Sequence, residues 1–143
     1  SVVIIDFGER LKSVLTSFMF TDVSSNEVNF FTINQWFDKT FFNENAMQNL
    51  HFPSIDFDNL KKFNKKFLNV FNEKPNEVSI LAYDALGLIY YCWFNNNFQF
   101  KIEQLYNKKG FKGLHGEFFI EKNQSKQKLN IYKVSQKKFI KVY

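Results

Sequence analysis

Cysteine is nearly missing from the chain: Cys92 is the only one in 143 residues, so no disulfide forms within it. With 2 prolines and 5 glycines, collagen-like and low-complexity architectures are excluded. Arg10 is the sole arginine among 19 basic residues, and alanine occurs only at positions 46, 82 and 85. What replaces them is phenylalanine, 20 residues against 6 Tyr and 2 Trp, together with much Asn, Lys and Ile. That bias matches an AT-rich genome, so composition is discounted as a direct sign of function. At 45% hydrophobic, a chain of this size is long enough for one domain that buries roughly 70% of its unfolded surface.

The chain opens on Ser1 and a β-branched run to Ile5, with no Met and no basic region before an apolar stretch. This is no signal peptide; it reads as a fully buried strand that begins at once, as if in a large part of a longer protein. Leu11, Val14, Leu15, Phe18 and Met19 then recur at helical spacing. A second apolar run, Val28 to Ile33, completes a strand, helix, strand unit and implies a parallel sheet. Asn34 to Asp38 should be a loop, Phe41 to Met47 a helical turn, and Gln48 to Phe52 a third strand closed by Pro53.

Ser54 to Asp58 carries N-cap chemistry. Phe57, Leu60, Phe63, Phe67 and Phe71 then form one helical stripe, with Lys61, Lys62, Lys65 and Lys66 off it. Pro75-Asn76-Glu77 starts another helix. From Val78 to Phe94 it is apolar nearly all round, its only charge Asp84. Its 17 residues are short for a membrane span, which predicts a helix buried on more than one side. Ile102 to Tyr106 is a further short helix. Gly110, Gly113 and Gly116 punctuate a turn. Phe118 to Ile120, Leu129 to Val134 and Phe139 to Val142 read as an antiparallel β-meander, with Glu121 to Lys128 a polar hairpin loop.

Catalytic residues are scarce. His51 and His115 lie far apart, with no His-x-x-x-His and no cysteine pair, so no zinc site or other cofactor is expected. Cys92 on its apolar helix reads as inert packing. The glycine series follows a helix and precedes a strand, the wrong order for a dinucleotide fingerprint. A net charge of +5 and clustered lysines invite a nucleic-acid-binding reading. The shortage of arginine argues against it. In open α/β sheets, ligands bind beyond the carboxyl ends of the strands. Asp6 and Phe7 after the first strand, and Gln35 and Trp36 after the second, occupy those ends and are the candidate ligand-binding residues.

The order Pro75, then Ala82-Tyr83-Asp84-Ala85, then Gly110-Phe111-x-Gly113-x-x-Gly116-x-Phe118 is similar to the C-terminal half of the type 1 periplasmic binding proteins, the Leu/Ile/Val-binding class. It most resembles the branch known as penicillin-binding protein activators. The resemblance implies a Rossmann-like, three-layer α/β lobe with a C-terminal antiparallel β-meander, in a protein whose two lobes close on a solute. Residues 1 to 55 would be the second-lobe βαβ unit, 56 to 97 two long helices returning toward the first lobe, and 98 to 143 the glycine turn and meander.

It implies a non-enzymatic receptor, with a small polar solute between the lobes and a membrane permease of the ABC type as partner. A cell-wall synthase is the partner if the role is regulatory. An N-terminal lobe of the same protein would complete it. The place would be the periplasm, or the periplasmic side of the outer membrane as a lipoprotein. The acidic side chain that holds the amino group in amino-acid binders has no counterpart near Gln35.

Overall fold

A computed structural model describes residues 1–21, 23, 26–33, 42–122 and 124–143. The chain divides into two compact units, one of residues 1–54 with 130–143, the other of residues 55–129. The contacts hold 55–129 together and return 130–143 to the first unit.

The first unit is built on a five-stranded sheet of order β1-β2-β3-β7-β8. Strands β1 (Val2–Ile4), β2 (Phe30–Thr32) and β3 (His51–Ser54) are parallel. β7 (Asn130–Ser135) runs antiparallel to β3, and β8 (Lys138–Lys141) antiparallel to β7. Helix α1 (Gly8–Met19) connects β1 to β2 and buries Leu11 and Leu15, two of its five predicted apolar positions. A 3-10 turn, Asn45–Met47, lies where the helical turn was expected and buries Met47. Its neighbour Glu44 receives Lys12 Nζ at 2.8 Å. The core is aromatic: Phe42 stacks on Phe52 at 5.1 Å, and Tyr132 continues the stack at 5.8 Å.

β1 departs from expectation. Ile4 is buried, but Val3 and Ile5 are 66% and 81% exposed. Successive side chains of a strand point to opposite faces, and the face that carries Val3 is left open at this edge strand.

The second unit begins with α2 (Phe57–Phe71), where Asp56 caps the helix by accepting the Asn59 amide at 2.9 Å. Asn72, at φ 55°, ends it in the left-handed conformation that asparagine tolerates. Asn76 caps α3 (Glu77–Phe94) through the Ser79 amide at 2.8 Å. Phe63 meets Tyr83 of α3 at 5.0 Å, which joins the two helices. After a 3-10 turn, Ile102–Tyr106, come β4 (Phe111–Gly113), β5 (Gly116–Glu121) and β6 (Gln124–Gln127), an antiparallel sheet.

Two expectations change here. The polar stretch from Glu121 to Lys128 was to be a loop, yet 124–127 pair with β5 as an edge strand with every residue exposed. A polar strand needs no apolar alternation when both faces meet water. The predicted meander is therefore antiparallel throughout but divided between two sheets. Helix α3 was expected to be buried on more than one side. Only a ridge one turn apart, Ile80, Asp84, Leu88 and Cys92, is covered, while Val78, Leu86 and Tyr90 are exposed.

Asp84 fastens α3 to the β4–β5 turn. One carboxylate oxygen accepts the Leu114 amide at 2.7 Å, and the other accepts the His115 amide at 3.0 Å and lies 2.8 Å from His115 Nδ1. An ionised carboxylate only accepts, so Nδ1 carries the proton. Gln127 Nε2 donates to the His115 carbonyl at 2.8 Å and ties β6 to the same turn. Gly113 is obligatory: a Cβ there would lie 2.7 Å from the Asp84 carboxylate. Gly110 is equally tied, with φ 68° and the Phe118 carbonyl 2.8 Å from any Cβ.

Burial pushes the Asp84 pKa up, but the His115 ring, the His115 amide and the Leu114 amide together outweigh it and hold it below the ordinary 3.8. The carboxylate's contribution is thus complete above its unfolded pKa and is lost as pH falls through the lower folded value. Urea midpoints measured from neutral pH down through pH ~3 should fall in the native chain more than in Asp84→Asn. At neutral pH Asp84→Ala should cost about 3 kcal/mol, since the turn amides lose their acceptor. Gly113→Ala should destabilise as well, in the same urea titration.

Candidate functional site

The loop after β1 holds two of the four candidate residues. The Asp6 carboxylate accepts the Phe7 amide at 2.9 Å, and the Asp6 carbonyl accepts Thr32 Oγ1 from the end of β2 at 2.9 Å. This bond joins the carboxyl ends of two parallel strands. The Phe7 ring is 68% exposed, at the extended residue that precedes α1. The local fold explains the display: β1 ends at Ile4, and Gly8, at φ 60°, opens the helix directly behind Phe7. Gln35 and Trp36 lie outside the described residues, so the structure brings together Asp6, Phe7 and Thr32 only. Thr32 was not singled out from the sequence. A hydroxyl residue near the end of the second apolar run was the available signal.

The second unit has concavities of its own. A groove of about 600 Å³ runs between α3 and the glycine turn, lined by Asn59, Tyr83, Asp84, Tyr91, Lys112 and Phe118 among others. A smaller one of about 300 Å³, mostly apolar, touches Asp84, His115 and Ser125. A serine, a histidine and an aspartate at one pocket suggest nucleophilic chemistry, but that needs the serine bonded to the histidine. Among the described residues no hydrogen bond joins Ser125 to His115, and the Asp84–His115 pair is occupied in holding the turn.

The pair was missed in the sequence because 31 residues separate its members. A lone charge on an apolar helix and a histidine between two glycines were the hints. Cys92 is buried and burial raises its thiol pKa, which makes it a poorer nucleophile. His51 stacks on Phe31 at 5.0 Å, and its Nδ1 is buried without a partner among the described residues. No cluster of metal-ligating side chains occurs among the described residues. No helix among them is long and apolar enough to cross a membrane.

No family model and no curated protein matches the chain. Solved structures do. A putative branched-chain amino acid ABC transporter protein from Rhodospirillum rubrum superposes with a TM-score of 0.67 at 9% identity, over 96% of this chain and 49% of its own. A leucine-binding protein, LivK, from Thermotoga maritima gives 0.60 at 13%, over 99% and 43%. The C-domain of LpoA from Haemophilus influenzae, described as a regulator of PBP1A, gives 0.53 at 12%, over 99% and 44%. The chain thus spans less than half of each. At such identities the likeness is one of fold, and it agrees with the motif order from Pro75 to Phe118. The fold is that of the type 1 periplasmic binding proteins, represented over its C-terminal portion.

Proposed function

We propose that the chain is part of a non-catalytic, extracytoplasmic receptor of the solute-binding type, serving an ABC-type transport system. The observation that carries this reading is the junction of the β1 and β2 carboxyl ends, where Thr32 ties to Asp6 and Phe7 projects into solvent. A parallel sheet presents ligands to that edge. A small polar solute would meet Asp6 and Phe7 there, with Gln35 and Trp36 from the sequence that follows β2, and would be enclosed by hinge closure without a covalent step. No cofactor takes part in such a cycle.

The exposed sides of α3 support a second element of the reading. Soluble proteins rarely leave contiguous apolar patches of this kind uncovered. Val78, Leu81, Leu86, Ile89 and Tyr90 are each more than half exposed. A complementary N-terminal lobe of the same protein, corresponding to the unmatched part of the similar structures, would cover them. The location would be periplasmic, or outer-membrane-anchored on the periplasmic side.

The likeness to the LpoA C-domain supports a different role for the same fold, an envelope regulator that binds a cell-wall synthase. Solute binding separates the two. In a thermal-shift screen of the full-length protein against amino acids, amides and small organic acids, at least one compound should raise Tm. A saturating ligand at about 100 times its Kd would stabilise by about 2.7 kcal/mol. Phe7→Ala and Trp36→Ala should each abolish that shift, and Phe7→Ala, at an exposed ring, should leave the unliganded Tm nearly unchanged. No response to any solute, together with capture of a synthase, would favour the regulator.

A further inference from the structure

Helix α2 has two different sides. Leu60 and Phe63 are buried and Phe67 is half-buried against its own unit, where Phe63 packs on Tyr83. Off that stripe, Lys61, Lys62, Lys65 and Lys66 are all exposed. The lysine–carboxylate pairs of the described residues lie elsewhere, at Lys12–Glu44, Lys126–Glu121 and Lys128–Glu117. Lys61 and Lys65, like Lys62 and Lys66, stand one turn apart, where like charges repel. The same rows run on toward the C-terminal end of the helix. Lys62 and Lys66 lead to Val70, 73% exposed, and Lys61 and Lys65 to Asn69, with Leu68, 44% exposed, beside it; Phe71 stays on the inward stripe, 4.5 Å from Phe67. The outward face is thus cationic over two turns, with the exposed apolar side chains of Val70 and Leu68 flanking Asn69 at its C-terminal end.

We propose that this face of α2 rests on an anionic phospholipid surface, with the four lysines on headgroup phosphates and Val70 dipping into the interface. Charge complementarity calls for a polyanion, and the apolar end selects among polyanions. A basic face continued by exposed apolar side chains suits the boundary between headgroups and acyl chains. Single-stranded nucleic acid would be held by ring faces beside the cations, preferably with arginine. Helix α2 has no arginine, and Phe63 and Phe67 are engaged with each other and, through Phe63, with Tyr83.

Co-sedimentation of the full chain with vesicles tests this, using phosphatidylcholine alone or with about one-third phosphatidylglycerol, at low and high salt. Binding to the anionic vesicles only, weakened by salt, is expected. Each lysine removed should lower the partition coefficient about fivefold. The pairs Lys61→Gln with Lys65→Gln, and Lys62→Gln with Lys66→Gln, are measured separately. Both relieve repulsion on an exposed face, so folding is preserved, and circular dichroism verifies it. Val70→Ser should weaken binding while leaving the salt dependence unchanged, because it removes no charge. Equal binding to both vesicles, no binding, or binding indifferent to the lysine pairs would overturn the proposal. So would retention of a single-stranded oligonucleotide without vesicle binding, the outcome expected of a nucleic-acid surface.

Discussion

The second unit is organised around an electrostatic constraint at Asp84. Between Val78 and Phe94 the helix has no other charge, and its carboxylate is placed where two successive backbone amides and an imidazole converge. The arrangement fixes several things together. The β4–β5 turn has to present the Leu114 and His115 amides inward, and Gly113 has to lack a side chain so that the backbone can approach. Gln127 must reach the His115 carbonyl, which ties β6 to β5. The apolar stripe of α2 packs on a helix whose rotation is already set, since Tyr83, beside Asp84, carries the contact with Phe63. Removing the carboxylate would leave two turn amides without their acceptor, which is why one orientation of helix and turn is kept.

Much of this architecture was legible in the sequence, for identifiable reasons. The β1–α1–β2 order followed from a β-branched run, a helical repeat and a second apolar run. Both long helices were visible from their apolar residues and from the side-chain chemistry at Asp56 and Asn76. What escaped was non-local. Val3 and Ile5 stay uncovered, and no local pattern in a run of valine and isoleucine tells a strand covered on both faces from one covered on a single face. β6 has strand geometry with a loop's composition, because its partner β5 supplies the hydrogen bonds. The Asp6-Phe7 position was readable from the general behaviour of parallel sheets, whereas the Asp84–His115 pairing depends on a turn that only the folded chain brings to the helix.

The two units bring different resources to one fold. The first supplies the carboxyl ends of parallel strands, joined by Thr32 and Asp6. The second supplies helices with more apolar surface than this chain covers and a lysine-rich outward face. Fold-level likeness extends to a leucine-binding protein, to a putative branched-chain amino acid ABC transporter and to a regulator of PBP1A alike. Such breadth is normal for a scaffold whose function resides in the loops and faces it displays. What distinguishes one role from another here is local: whether the carboxyl ends of β1 and β2 hold a solute.

The β3–β7 pairing also bears on how the chain comes to be folded. His51 registers with Lys133, so this one ladder closes across the whole of residues 55–129. The second unit is continuous and can assemble from its own contacts as it emerges during synthesis. The first cannot: β3 remains an open edge until the last strands arrive. Joining ends so distant carries a loop-closure cost and slows folding, but a structured insert holds its own ends in place and shortens the effective search. The clamp at Asp84, by setting the insert early, would act as a folding aid for a sheet of which it is not a member.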